Sequence, residues 1–306
     1  MKALPTLRQL QFFVALVRQQ SFSKAAEDSL VSQSTLSAAI KELEHTLDAE
    51  LVDRSSKGFA LTPIGEDMVQ RAQDLLNAAE DMARVAGPSA PLAGVHRLGL
   101  LPTIGPFILP AAMPLFQETH TDLSLYLREG LTATLLEDLR AGRIDMALIA
   151  FPYETEGLES HVFAEDKFVF VCPQNHPRAK RKLMTVDELV DEELLLLEEG
   201  HCLRDQALSA CQLQASDAAN TFGGTSLFTL SHMVRSGLGV TLLPEMAVKA
   251  GLAKDVSLVT IPFKDTKAYP APARQIGLVW RKGAKRDADA AAMGEVFRQA
   301  LESQAV

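Results

Sequence analysis

The chain has 306 residues, 47% of them hydrophobic and 23% charged, with a formal net charge of −9. That length exceeds one ordinary hydrophobic core, and the composition suits a soluble globular protein, so two or more domains are expected. No run approaches the ~20 apolar residues that span a bilayer, and Met1-Lys-Ala-Leu-Pro-Thr6 lacks the apolar stretch of a signal peptide. Three cysteines, an odd number, argue against a secreted disulfide framework, so a cytoplasmic location is expected.

A negative total argues against nucleic acid, but its distribution matters more. Through Gly65 seven basic residues (Lys2, Arg8, Arg18, Lys24, Lys41, Arg54 and Lys57) balance seven acids, and the whole deficit lies beyond. The first segment is electrostatically distinct, which permits DNA binding.

Thr6 can cap a helix whose apolar positions Leu10, Phe13, Val14 and Val17 recur at helical spacing. Ser21 opens a short second helix from Ser23 to Leu30, Val31 makes a turn, and Ser32 caps a third helix with Leu36, Ala39, Ile40, Leu43 and Leu47 as its buried stripe. Two short helices, a tight turn and a third amphipathic helix follow the helix-turn-helix plan, in which the last helix enters the major groove. Gln33, Ser34, Thr35 and Ser37 stand near the start of that helix, with side chains able to reach bases or phosphates. Residues 50–62 predict a strand, a turn at Gly58 and a second strand, forming a wing that carries Arg54 and Lys57 toward phosphate. A three-helix packing unit without DNA would show the same periodicity.

Pro63 suits the first turn of a long helix in which Ile64, Met68, Ala72, Leu75, Ala79, Met82 and Ala86 repeat every three or four residues. Such a stripe can serve an internal core or a dimer seam. Residues 88–94, rich in Pro, Ala and Gly, predict a hinge.

Beyond Gly94 strands and helices alternate. Strands are expected at 96–101, 123–127, 145–150, 168–172, 194–197, 240–243, 256–261 and 276–280. Helices are expected at 106–118, at 133–141 with Thr132 as its cap, and at 287–301. This predicts α/β structure with mostly parallel strands. In open α/β sheets, ligands sit beyond the carboxyl ends of strands. Thr103, Thr132 and the Gly200-His201-Cys202 stretch all follow such ends, so three strand ends converge on one expected cleft. Thr103 and Thr132 are also plausible caps.

The segment Gly200-His-Cys-Leu-Arg-Asp-Gln206, with Cys211 nine positions after Cys202, places His201 and Arg204 beside a thiol. Cationic neighbours favour the thiolate, the nucleophilic form. On a helix the two cysteines would lie roughly 13 Å apart, and a disulfide needs Cα atoms within about 7 Å. Joining them would require the local helix to refold, as in a switch. Two ordinary thiols, one at the surface and one in the core, would show the same spacing, which is no recognised metal or redox pattern.

Five motifs occur in order across about 60 residues: Ser23-Lys-Ala-Ala26, Val31-Ser-Gln-Ser-Thr-Leu-Ser37, Ile40-Lys-Glu-Leu-Glu44, Leu51-Val-Asp-Arg54 and Leu61-Thr-Pro-Ile-Gly65. The run resembles the winged helix-turn-helix of LysR-type transcriptional regulators. The resemblance implies contacts to double-stranded promoter DNA by Ser32, Gln33, Ser34, Thr35 and Ser37, with Arg54 in the wing. It also implies a dimerisation linker at 63–93 following a DNA-binding domain at 1–62. The effector domain at 94–306 would resemble periplasmic binding proteins, with one subdomain at about 94–163 plus 271–306 and a second at about 164–270.

Within that family the 200–206 string, its second cysteine, Leu101-Pro-Thr-Ile-Gly-Pro106, Gly223-Gly-Thr-Ser-Leu227 and Gly239-Val-Thr-Leu-Leu-Pro244 resemble the peroxide-sensing members. The resemblance implies Cys202 as peroxidatic thiolate and Cys211 as resolving thiol. By the same pattern Thr103, Thr132, His201, Arg204, Asp205 and Arg274 would position hydrogen peroxide, and Cys172 would be a core residue. Those members often carry an aromatic before the resolving cysteine, where this chain has Ala210. Implied partners are a second copy of the chain in a dimer or tetramer, RNA polymerase, and a disulfide reductant of glutaredoxin or thioredoxin type. No metal, cofactor, membrane or enzymatic turnover is implied. The competing expectations are a LysR-type regulator with a small organic effector in the cleft and, disfavoured by the DNA-binding head, a thiol peroxidase.

Overall fold

The computed structural model describes residues 4–53, 59–85, 90–190, 192–211, 224–265 and 270–304. The chain divides into two compact units, Met1–Pro88 and Ser89–Val306.

The first unit opens with α1 (Leu7–Gln19), where Thr6 and Gln9 form a reciprocal capping box. Ser21 caps α2 (Phe22–Asp28), and Ser32 caps α3 (Gln33–Leu47) by accepting the Thr35 amide. Leu10, Phe13, Leu16, Ala25, Leu36, Ile40 and Leu43 bury the facing sides of the three helices, and each large aliphatic among them contributes about 1.5–3 kcal/mol of burial. A two-stranded antiparallel ribbon follows, β1 (Val52–Asp53) and β2 (Ala60–Leu61). The expected wing is therefore present in its strands, while Arg54, Lys57 and Gly58 lie outside the described residues.

Pro63 begins α4 (Pro63–Val85). The single stripe expected of this helix is divided between two uses. Ala72 and Leu76 are buried and Met68 and Val69 pack on the first unit's core, whereas Ile64, Leu75 and Met82 are exposed. The last three are spaced by eleven and seven residues, close to whole turns at about 3.6 residues per turn, so they share one face.

The second unit begins with β3 (Gly94–Leu100), α5 (Gly105–Thr119), β4 (Leu123–Glu129), α6 (Thr132–Arg140) and β5 (Met146–Phe151). The 15-residue β6 (Leu158–Cys172) leads to α7 (Cys202–Ala210), α8 (Leu227–Arg235), β7 (Thr241–Pro244), α9 (Glu245–Lys249) and α10 (Leu252–Asp255). Strands β8 (Val259–Pro262) and β9 (Ala273–Arg281) and helix α11 (Asp287–Ser303) complete it. The strand order is β4-β3-β5-β9-β6-β7, with β8 also on β6. Two subdomains thus share the strands β6 and β9, as in periplasmic binding proteins.

Two expectations need correction. The named strands are not mostly parallel: β3 pairs parallel with β4 and β5, but β9 inserts antiparallel between β5 and β6, and β6 runs antiparallel to β7 and β8. The local β–α alternation that signals parallel pairing stops at β5, and a crossover strand takes the next place. Residues 194–197 form no strand of their own. They make single parallel bridges, Leu194 with Val240 and Leu197 with Gly224. At Gly239 an added Cβ would meet the Glu193 carbonyl at 2.5 Å, so a side chain would break this approach.

Candidate functional site

Cys202 is the first residue of α7, and His201 holds the cap position without a side-chain cap bond. Gly200 makes the turn into the helix at φ 93°, a conformation that favours glycine. Gln206, one turn further on, donates from Nε2 to the Ala150 carbonyl of β5 at 3.0 Å, and both groups are buried. This bond fastens α7 beside the end of β5. In the sequence Gln206 stands out only as the last residue of the 200–206 string.

Cys202 is 7% exposed. Burial raises its pKa above the ordinary thiol value. Thr132, the Arg274 charge and the helix amide of Cys202 pull it back, and Asp205 adds to the rise. The largest cationic pull on the thiol comes from Arg274 on β9. His201 is pushed toward the neutral form by burial, against the pull of Glu198. Arg204 directs Nη1 to the Leu197 carbonyl at 3.3 Å. Asp205 is exposed on the helix surface.

Thr132 is not the cap of α6. Leu131 holds that place with extended backbone, and Thr132 is the first helical residue, 1% exposed. Its hydroxyl completes no well-aligned hydrogen bond to any group, yet it lies near enough to the Cys202 sulfur to stabilise negative charge there. Thr103 likewise caps nothing, because Ile104 precedes α5. Its Oγ1 accepts from Arg274 Nη1 at 3.2 Å and its carbonyl accepts from Nη2 at 3.0 Å.

Arg274, 1% exposed, needs a counter-charge, and Asp166 supplies it. Asp166 Oδ2 accepts from Nε and Nη2, each at 3.0 Å, and Oδ1 accepts the Met246 amide at 3.0 Å. Burial pushes the Asp166 carboxyl up, and Arg274 and the Met246 amide oppose it. Three N–H donors converge on two oxygens, which is the arrangement of an ionised carboxylate. The sequence carries no local signal for Asp166, 108 residues from its partner.

Cys211 closes α7 at its far end, is buried, and has its thiol pushed up to about 12 by burial. The nine-residue helix keeps it about 13 Å from Cys202 along the axis, and all three cysteines are free. Cys172 sits fully buried in β6, its thiol pushed to about 11 by burial and then by Glu192. Among the described residues no group of three or more His, Cys, Asp or Glu is placed to hold a metal, and no helix is long and apolar enough to cross a membrane.

In the first unit Ser32, Gln33, Ser34 and Thr35 are exposed at the start of α3, and Ser37 is half-buried. Ser32 Oγ bonds Ser34 Oγ at 2.9 Å and Thr35 Oγ1 at 2.7 Å, while Gln33 Oε1 accepts from Ser23 Oγ at 3.2 Å. The turn thus holds a linked row of polar groups at the exposed N-terminus of α3. Arg54 lies outside the described residues.

A three-helix head with a ribbon, joined by a long helix to a two-subdomain α/β unit, is the plan of a one-component transcription factor. Residues 7–66 match the model for bacterial regulatory helix-turn-helix proteins of the lysR family, and residues 89–302 match the LysR substrate binding domain. The chain belongs to the LysR family of transcriptional regulators. It is 40% identical to the HTH-type transcriptional regulator EstR of Acinetobacter baylyi over 92% of each chain. It is 39% identical to a probable hydrogen peroxide-inducible genes activator of Mycobacterium avium over 98% of this chain and 96% of that one. A variant of full-length OxyR from Pseudomonas aeruginosa shares its fold, with a TM-score of 0.79 and 33% identity over 96% of this chain and 98% of the other.

Proposed function

We propose that the chain is a hydrogen-peroxide-responsive, DNA-binding transcriptional regulator whose sensor is Cys202. The observation that carries this reading is the buried thiol at the start of α7, set beside the buried Thr132 hydroxyl and under the charge of Arg274. The helix N-terminus adds a favourable dipole for negative sulfur.

The chemistry follows from those groups. The Cys202 thiolate attacks one peroxide oxygen, the O–O bond breaks, and hydroxide leaves and takes up a proton as water. Thr103 accepts from Arg274 through Oγ1, so its own O–H is free to donate to a peroxide oxygen. Thr132 would meet the second oxygen. His201, mainly neutral, can relay the proton, with Arg204 and Asp205 bordering the pocket. The sulfenic acid then condenses with the Cys211 thiol, giving a disulfide and a second water. Two thiols are oxidised and one peroxide is reduced, once per reduction cycle.

The alternative is a small organic effector, the kind of ligand many regulators take. Against it stands Arg274, whose charge is already met by Asp166, so an organic anion would gain little from it. On the DNA side, Ser32, Gln33, Ser34, Thr35 and Ser37 would contact promoter DNA from α3, with Arg54 added from the wing. The exposed Ile64, Leu75 and Met82 face suits a dimer seam along α4. Tetramer formation, RNA polymerase contact, a glutaredoxin- or thioredoxin-type reductant and a cytoplasmic setting complete the proposal.

The test treats reduced protein with equimolar hydrogen peroxide and maps disulfides by peptide mass spectrometry, with Cys202→Ser alongside. A Cys202–Cys211 bridge within seconds, absent from the variant, is the expected result. Three free thiols after treatment would refute the sensor and direct attention to an organic effector.

A further inference from the structure

Asp166 and Arg274 are direct partners in the antiparallel register of β6 and β9, the two strands shared by both subdomains. Their pairing reaches into each subdomain. Arg274 holds the hydroxyl and the carbonyl of Thr103, in the loop between β3 and α5, and Asp166 holds the amide of Met246, at the start of α9. Four of the five guanidinium N–H groups have an acceptor in this arrangement, and one on Nη1 is left. Arg274 is therefore fixed in plane by a fork of contacts, with Asp166 on one edge and Thr103 on the other. Without the carboxylate the Nε edge would keep only the weak contact of Nη2 with Met246 Sδ at 3.9 Å, and the guanidinium would carry its full charge next to a thiol.

We propose that Asp166 is a positioning residue of the peroxide pocket: it holds Arg274 against Thr103 and tempers the charge that Cys202 feels. This inference rests on the peroxide reading of the pocket. The two effects of Asp166 oppose each other, which makes them separable. Loss of the counter-charge strengthens Arg274's pull toward thiolate, easing reactions that need only a thiolate. Loss of alignment removes the donors that meet the peroxide oxygens, slowing the one reaction that needs geometry.

Asp166→Asn and Asp166→Glu in the full chain distinguish these effects. Cys202 modification is followed by peptide mass spectrometry from pH 5 to 10 with two reagents, hydrogen peroxide and iodoacetamide, the second reporting thiolate without any need for pocket alignment. For Asp166→Asn the alkylation midpoint moves to lower pH, and the alkaline plateau rate with peroxide falls about tenfold or more relative to alkylation. Asp166→Glu keeps the charge but displaces it by one methylene. It therefore leaves the alkylation midpoint in place and still lowers the peroxide-to-alkylation ratio. A role in folding alone would lower thermal stability while leaving the midpoint and the ratio at wild-type values in both variants, and that result overturns the proposal. Removing one member of a buried pair is costly, so the doubly neutral Asp166→Asn with Arg274→Gln accompanies them. It is expected to restore folding, move the alkylation midpoint above wild type and keep the low ratio; a wild-type ratio in this variant counts against the proposal as well. If wild-type Cys202 reacts with peroxide no faster than Cys172, the peroxide reading itself fails. If wild type is selective and every variant keeps its ratio, only the role of Asp166 falls.

Discussion

Cys202 and Cys211 stand at opposite ends of one helix, the first as its opening residue and the second as its closing cap. Both are buried, and both face the core with a full α7 between them. A direct disulfide is sterically barred in this state, since about 13 Å of helix must shrink to less than about 7 Å between Cα atoms. Oxidation to a bridge therefore unwinds α7, and whatever stabilises α7 in its seat opposes the switch. On the proposed reading the helix would be the bistable element, biased by the two thiols.

A buried tether of that seat is the Gln206 side chain on the Ala150 carbonyl. Gln206→Leu keeps the bulk, removes the donor and leaves a buried carbonyl with one bond fewer, a cost of about 1–3 kcal/mol to the reduced form that loss of the buried, partnerless Oε1 draws toward its lower end. Once α7 has unwound the tether is already gone, so the disulfide form loses little. Destabilising only the reduced state makes the dithiol a better reductant. The Cys202–Cys211 couple is expected to move roughly 20–60 mV more negative, given about 30 mV per 1.4 kcal/mol for two electrons. Redox titration against glutathione or dithiothreitol buffers reads this shift directly; an unchanged potential would mean that Gln206 is retained on unwinding or contributes nothing.

The buried thiols also set an alkaline limit. Cys172 has its thiol pushed to about 11 in the folded protein, against roughly 8.5 in an unfolded chain. Between those values the folded state holds a proton that the unfolded state releases, so stability falls as pH rises through this window and is intact below it. The loss attributable to Cys172 is of the order of 2–3 kcal/mol by pH 11 at about 1.4 kcal/mol per unit. Cys172→Ala is expected to be less stable at pH 7, because it leaves a small void, and to lose stability less steeply between pH 8 and 11. Urea unfolding at several pH values, without peroxide, measures both slopes. Parallel slopes would show that Cys172 titrates normally.

Much of the head was legible because its signals are local. Thr6, Ser21 and Ser32 each sit just before an amphipathic run and each becomes the cap, since capping is decided within three or four residues. The effector domain was legible up to β5 for the same reason. Beyond it, β9 lies more than a hundred residues from β5 and β6, and no period in the sequence says that it inserts between them. The site divides the same way. Cys202 and Cys211 announce themselves by type and spacing, whereas Asp166 looks like any surface acid until β6 and β9 pair. The α4 stripe misleads by being continuous in sequence but divided in space, with Ala72 turned inward and Leu75 outward.

Thr132 separates two meanings of one residue. As a helix cap its hydroxyl would stabilise α6, and replacing it would cost about 1 kcal/mol. In the structure it is the first helical residue, caps nothing, and has a buried hydroxyl without a well-aligned partner beside Cys202. Thr132→Val preserves the shape and removes only that hydroxyl. Deleting an unsatisfied buried polar group is neutral or slightly stabilising, so the melting temperature is expected to hold or rise. The thiol loses a group that lowers its pKa, so the midpoint for iodoacetamide labelling of Cys202 moves to higher pH. The peroxide reaction loses a contact in addition and slows by roughly tenfold or more at neutral pH, in keeping with a donor aimed at developing charge. Calorimetry and stopped-flow oxidation on the same preparation test the pair of outcomes together. A lower melting temperature with an unchanged oxidation rate would return Thr132 to the role of a structural hydroxyl and leave Thr103 and Arg274 to orient the peroxide alone.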